Sequence, residues 1–198
     1  MTTFNPFAVT NVQDSFSVQS NGFWQGDLQA DPAGRFQLAA GVIDSGETGV
    51  IWGGLPIVET TPPATPANGY MGSNLELATT AAGLSGFTVF NGSYSVPTTP
   101  QSPVPTAVAG NSFNFVRKGT NNRIVVKCSA GIIALAGSAN PQAFSWDFTN
   151  NQLIPGDGLD EFTATLIQVD TNGAVVVYDP VTGYATWNTS ANVAVIQI

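Results

Sequence analysis

The stretch Thr163-Ala164-Thr165-Leu166-Ile167-Gln168-Val169-Asp170-Thr171-Asn172-Gly173-Ala174-Val175-Val176-Val177-Tyr178 decides the fold class. Its two apolar runs, 163–169 and 174–178, are rich in Thr, Val, Ile and Tyr. β-branched and aromatic side chains fit a pleated, half-buried surface, and turn residues bound each run as strands require. Between them, Thr171-Asn172-Gly173 carries a hairpin signal, because Asn-Gly supplies the two φ > 0 residues that a type I′ turn demands. The pattern reads as two strands joined by a tight turn.

Runs of the same kind recur along the chain, and strands are expected at 48–52, 55–59, 86–90, 112–116, 124–129, 132–136, 143–148, 185–187 and 193–198. Lys118-Gly119-Thr120-Asn121-Asn122 reads as a further reversal between two strands. With 21 Gly and 13 Pro, few windows long enough for a helix escape a breaker. Residues 75–82 are the one candidate short helix. Many short strands at close spacing imply an all-β fold, a β-barrel or jelly-roll-like sandwich with Pro-rich loops and a small C-terminal β extension. The organisation expected is a single domain over 1–198: an arm at 1–20, a main β body at 21–155, and strands at 156–198. That last piece is too short to fold alone and must pack on the body. Residues 60–66 and 97–105 concentrate proline, which fixes φ and removes backbone donors, so they read as extended loops. A stiff loop loses little entropy on binding, which makes Pro100, Pro103 and Pro105 candidate partner contacts.

Composition narrows the function classes. Only 9% of residues are charged, against about 25% in typical domains. The 12 Phe, 4 Trp and 4 Tyr place the chain among ordered proteins. A surface so poor in charge suits burial in an assembly, where charge is depleted from interface cores. A net charge of −8 with five Lys and Arg argues against nucleic acid and against anionic membranes. No apolar run approaches the ~18 residues of a spanning helix. The N-terminus has no signal-peptide pattern, so synthesis in the cytoplasm is expected.

The chain has no His. That removes the commonest general base and metal ligand, together with every Ser-His or Cys-His nucleophile. Cys128 is the only cysteine, so it forms no internal disulfide or thiolate cluster and reads as a buried, inert thiol. Asp157, Asp160 and Glu161 form the one acidic cluster, but without the ligand order of an EF-hand, and read as a solvated turn. No catalytic residue, cofactor or metal is expected, and the protein is expected not to be an enzyme. Four of the five basic residues, Arg117, Lys118, Arg123 and Lys127, flank the turn at 118–122. They are candidate contacts for an acidic partner or neighbouring copy; equally, they solubilise a hairpin or protect an edge strand. Trp24 and Trp52 sit beside glycines and are candidate exposed aromatics, whereas Trp146 and Trp187 lie in apolar alternation and read as core.

A series of motifs carries a resemblance. It runs from Gly22-Phe23-Trp24-Gln25-Gly26-Asp27 through Arg35-Phe36-Gln37-Leu38-Ala39-Ala40-Gly41 and Trp52-Gly53-Gly54 to Thr99-Pro100-Gln101-Ser102-Pro103-Val104-Pro105. It continues in Phe113-Asn114-Phe115-Val116-Arg117-Lys118-Gly119-Thr120-Asn121-Asn122-Arg123-Ile124 and Phe144-Ser145-Trp146-Asp147-Phe148. The last motif is Tyr178-Asp179-Pro180-Val181-Thr182-Gly183-Tyr184-Ala185-Thr186-Trp187-Asn188. In this order the motifs resemble the structural cement, or capsid decoration, proteins of tailed bacteriophages. The resemblance implies a β-barrel or jelly-roll body on the outer capsid surface, made in the host bacterial cytoplasm and bound to the major capsid protein and to neighbouring copies. It also points to a homotrimer. The alternatives are a carbohydrate- or receptor-binding β module of a phage fibre and a tail or baseplate structural protein. A coplanar, exposed Trp24/Trp52 pair in a groove would favour sugar.

Overall fold

The computed structural model describes residues 23–29, 37–61, 72–89 and 104–198. Its elements are β1 (Leu28–Gln29), β2 (Leu38–Ile43), β3 (Pro56–Thr60), β4 (Ser73–Leu77), β5 (Gly86–Thr88), β6 (Ser112–Arg117), β7 (Arg123–Lys127), α1 (Ala130–Ile133), β8 (Gln142–Asp147), β9 (Gln152–Pro155), β10 (Phe162–Asp179) and β11 (Tyr184–Gln197). The fold is all-β, as the sequence implies. Strands β2 to β6 close a barrel in the order β2-β4-β3-β5-β6, and the others form a six-stranded sheet in the order β1-β7-β11-β10-β8-β9.

The barrel closes through one parallel pairing, β2 with β4, where Gly41 lies opposite Ser73. A Cβ at Gly41 would stand 2.6 Å from Leu75 Cγ, so glycine is what lets these strands approach. Ile43, Ile51, Leu55, Ile57, Leu75, Phe113 and Phe115 fill the barrel core, joined by Val176 and Ala185 from β10 and β11. A second core lies between barrel and sheet. Phe87 and Val116 from the barrel meet Ile124, Val126, Phe144, Trp146, Leu153, Phe162 and Ile196 from the sheet, with Ile132 of α1. Val125 points to the other face of β7, where it packs with Val175, Val193 and Val195. β7 is therefore apolar at three successive positions, the pattern of a strand covered on both faces.

The structure corrects the expected hairpin. Residues 163–169 and 174–178 are not two strands around a turn; both belong to β10, which runs unbroken alongside β11. At Thr171-Asn172-Gly173 the ladder shifts register instead. Asp170 Oδ1 accepts the Asn172 N–H at 2.8 Å, and a Cβ at Gly173 would run into the Val193 side chain. Glycine is required there by close approach within a bulge, not by a reversal. The reversal comes later, at residues 180–183. Gly183, with φ of 73°, donates its N–H to Asp179 O at 2.8 Å.

Other expectations shift too. Residues 118–122 do turn the chain, with Gly119 at φ 86° and Asn121 at φ 57°. They join no hairpin, however, because β6 pairs in the barrel and β7 in the sheet. Residues 75–82 form no helix: Leu75 and Leu77 fall in β4 and the chain then turns. The expected strand at 132–136 is instead α1 and a following turn, held by Ile132 N–H to Ser129 O at 3.1 Å and Ala134 N–H to Ala130 O at 3.2 Å. Of residues 48–52 only Ile51 pairs, in a bridge with Ala107. Among the described residues no helix is long and apolar enough to cross a membrane.

The loop before β10 is tied back to the barrel. Asp160 accepts the Ala82 N–H at 2.6 Å on Oδ1 and the Ala81 N–H at 2.7 Å on Oδ2. Hydrogen bonds to a charged acceptor contribute about 1.5–3 kcal/mol each when well formed, and less where solvent competes. Asp160→Ala is therefore expected to lower the unfolding free energy by roughly 2 kcal/mol, with Asp160→Asn intermediate. Urea denaturation of the three proteins measures this, and equal midpoints would show that the strap contributes nothing.

Candidate functional site

The candidate contact residues do not form one patch. Arg117, at the end of β6, donates from Nε to Glu59 Oε2 at 2.7 Å and from Nη2 to Glu59 Oε1 at 2.6 Å. Its guanidinium also stands 5.2 Å from the centre of the Phe115 ring. The Arg117 hydrogen bond is the main reason that Glu59 titrates below the usual carboxylate range, with a contribution from the Ser73 hydroxyl. Lys118 is exposed in the turn. Arg123 opens β7 and donates from Nε to Gln197 Oε1 at 3.3 Å. Lys127 closes the same strand, so the two lie roughly 13 Å apart along it. Lys127 Nζ donates to Asn150 O at 2.8 Å.

The two candidate tryptophans are placed by paired glycine turns. Gln25-Gly26 packs backbone to backbone on Gly53-Gly54, and a Cβ at Gly26 would stand 2.5 Å from Gly53. From these turns Trp24 meets the edge of Trp187, with centroids 4.7 Å apart at 81°, and Trp52 leans on Tyr178 at 5.8 Å and 33°. Each tryptophan is thus partnered by an aromatic ring of the β10–β11 ribbon, and the coplanar, exposed Trp24/Trp52 pair does not form. Trp52 is buried, while Trp24 and Trp187 are half-buried; Trp187 had been expected in the core. Pro105 is buried beside Val104, which lies in the barrel core, and so faces inward. Pro100, Pro103 and the arm at 1–20 lie outside the described residues.

No family model, no curated protein and no solved structure matches this chain.

The surfaces that sequence reasoning missed are the two ends of the β10–β11 ribbon. At one end Asp157 Oδ1 accepts the N–H groups of Leu159 at 3.0 Å and Asp160 at 3.2 Å, and Glu161 Oε1 accepts that of Gly158 at 2.5 Å. At the other, Asp179 Oδ1 accepts the Val181 N–H at 2.9 Å and Oδ2 accepts the Thr182 hydroxyl at 2.7 Å. The acidic cluster therefore builds a turn from its own backbone. Among the described residues no three Cys, Asp or Glu side chains gather as metal ligands. Each carboxylate-built turn presents one large apolar side chain, Leu159 or Val181, each 91% exposed. The available signal was the sequence Asp-x-Leu and Asp-Pro-Val-Thr-Gly, in which an Asx turn places an apolar residue at its tip.

The buried Cys128 and the half-buried Asp27 titrate above their ordinary values. Burial alone pushes the Cys128 thiol up to about 12, so it carries no thiolate at neutral pH. Asp27 follows the Gln25-Gly26 turn, and burial raises its pKa against the opposing hydrogen bonds of the Leu28 N–H and the Gln29 amide. A raised folded-state pKa means that the fold prefers the protonated carboxyl. That contribution is complete below the ordinary value of 3.8 and is lost as pH rises through the folded-state pKa. Asp27→Asn should accordingly raise the melting temperature at pH 7, with the gain shrinking towards pH 3.5. A gain independent of pH, measured by thermal unfolding across that range, would contradict the assignment.

Proposed function

We propose that this chain is a non-enzymatic virion structural protein that decorates and cements a tailed-phage capsid. In this reading it bridges neighbouring capsomers through the two ends of its β10–β11 ribbon. The observation that carries the reading is the ribbon itself. β10 has 18 residues, a reach of up to about 55 Å before its bulges bend it. Carboxylate-built turns flank β10 at both ends, the one at 157–161 leading in from β9 and the one at 180–183 leading on to β11, and each holds out one large apolar side chain. A cement protein needs two separated contacts that cannot fold back on one another, and such a ribbon provides them. The resemblance to the cement family and the scarcity of charge support the same conclusion.

The partners in this proposal are the major capsid protein and neighbouring copies of the chain, assembled as a homotrimer. The contacts proposed with neighbouring copies include residues 1–20 and the part of 97–105 that precedes Val104, all of which lie outside the described residues. Asp147, Asp157 and Asp179 accept hydrogen bonds from backbone amides of their own turns, and Asp160 accepts those of Ala81 and Ala82 across the fold, which favours a structural role over general acid–base chemistry. Cementing gains from repetition, since each copy adds a modest free energy that symmetry multiplies.

Removing a large apolar side chain from a buried contact costs about 1.5–3 kcal/mol, or roughly 10- to 100-fold in affinity. Leu159→Asp and Val181→Asp should therefore each lower occupancy on stripped capsids by at least about tenfold while leaving the melting temperature unchanged. Imaging of decorated particles, with sedimentation of the free protein, reads both occupancy and oligomeric state. Full occupancy by both variants and by a chain lacking 1–20 would refute the proposal.

A further inference from the structure

β11 pairs along one edge of β10, but on the other edge β8 reaches only Phe162–Ala164. The Asn140 side chain then stands in for one more strand residue. Its Oδ1 accepts the Leu166 N–H at 3.0 Å and its Nδ2 donates to Leu166 O at 2.9 Å. Further along, Ala174 N–H donates to Phe23 O at 2.8 Å and Ala174 O accepts the Gln25 N–H at 2.8 Å, which makes a parallel bridge at Trp24. Between Leu166 and Ala174 no other segment among the described residues pairs with this edge. An unpaired strand edge is a template for a further strand.

A half-open cavity of about 460 Å³ lies beside the same stretch. Leu135, Ala136 and Gly137, which follow α1, line one side, and Leu166, Ile167 and Val169 of β10 line the other. No charged side chain occurs among the described residues that line it. Leu135 and Val169 pack at the margin of the core between barrel and sheet, and Ile167 is 38% exposed. An open edge beside an apolar pocket is the arrangement by which sheets take up an extended segment: the edge supplies main-chain hydrogen bonds and the pocket selects a side chain.

We propose that residues 16–22 of this same chain, which lie outside the described residues, add a strand parallel to β10 along this edge and seat Phe16 in the cavity. Direction, length, face and charge all support this occupant. The Trp24–Ala174 bridge is parallel, so a strand continued backwards from Phe23 runs from Ala174 towards Leu166. Phe16 is as far from Trp24 in the chain as Leu166 is from Ala174, about 26 Å of parallel strand. Phe23 packs with Val125, Val175, Val193 and Val195 on one face of the sheet. A period of two puts Val18 and Phe16 on the opposite face, where Leu135 and Val169 lie. Ser15-Phe16-Ser17-Val18-Gln19 alternates polar with apolar, and residues 15–22 carry no charge, as the uncharged cavity requires. A tethered segment also acts at an effective concentration of about millimolar, an advantage that a separate peptide or a second copy lacks. The added strand directs residues 1–15 past Leu166 towards the turn that bears Leu159. This placement rests on the edge and the cavity and holds whether or not the chain cements a capsid.

The test compares the full chain, a chain beginning at Gly22, and Phe16→Ala by NMR. In the full chain the Phe16 ring should show contacts to the Leu135 and Val169 methyl groups. Both changes should speed amide exchange within 167–173 by about tenfold or more, with protection of the β7–β11 pairing unchanged. Should the shortened chain not fold, the Phe16→Ala comparison decides alone. The proposal is overturned if Phe16→Ala exchanges as slowly as the full chain or if the Phe16 contacts are absent. It is also overturned if an equal mixture of isotope-labelled and unlabelled protein shows those contacts between copies, which would mark an arm exchanged with a neighbour.

Discussion

The Gln25-Gly26 turn is the point at which the separate parts of this structure are joined. Gln25 N–H donates to Ala174 O at 2.8 Å, and its side chain accepts the Val176 N–H, so the turn grips the ribbon twice. Gly26 N–H donates to Val125 O at 2.7 Å, which fastens β7. The same glycine lies against Gly53 of the barrel, in a conformation with φ of 84° that side chains rarely adopt. Barrel and sheet also share an apolar core, but apolar contact is non-directional and sets no register. The hydrogen bonds of this turn supply the direction. They also explain why Trp24 and Trp52 sit where they do, each immediately preceding one of the two interlocked glycine turns.

The fold class was legible because local signals agree. Runs of Val, Ile, Phe and Thr between glycines produced β3, β5, β6, β7 and β8 close to their expected places. What failed did so for identifiable reasons. Asn172-Gly173 has the chemistry of a type I′ turn, but Val193 on β11 occupies the space above Gly173 and the strand continues past it. Only the partner strand decides between a turn and a bulge, and no local pattern contains that information. β2 was missed because Leu-Ala-Ala-Gly-Val-Ile has small residues where strands usually carry branched ones, and the barrel needs that smallness at Gly41. The strand expected at 132–136 became α1 because only Ile132 of that run is buried, leaving no alternating face for a sheet to cover.

Of the candidate contact residues, the sequence located chemistry without location. Arg117 and Lys127 are close in sequence on either side of one turn. Yet Arg117 is held by Glu59 on the barrel, whereas Lys127 sits at the far end of β7 beside Asn150. A reversal that crosses between two sheets separates residues that a hairpin would bring together. Conversely, Trp52 and Tyr178 are 126 positions apart in the chain and pack together.

The charge deficit acquires a structural meaning from where the carboxylates are. Asp44, Asp147, Asp157, Asp170 and Asp179 each accept the N–H of a residue two positions ahead, at Gly46, Thr149, Leu159, Asn172 and Val181. Asp147 is held below its usual range chiefly by the Asn150 side chain, and Asp179 chiefly by the Thr182 hydroxyl. In this arrangement these five carboxylates satisfy backbone donors at turns and at the β10 bulge. A neutral strand face is inexpensive to desolvate, whereas a buried charge must recover several kcal/mol from a well-matched partner. Among the described residues, carboxylates thus hold turns in place, and exposed charge is sparse elsewhere. The apolar tips at Leu159 and Val181 then become the features with the most to gain from contact, because burying them requires no ion to be paired.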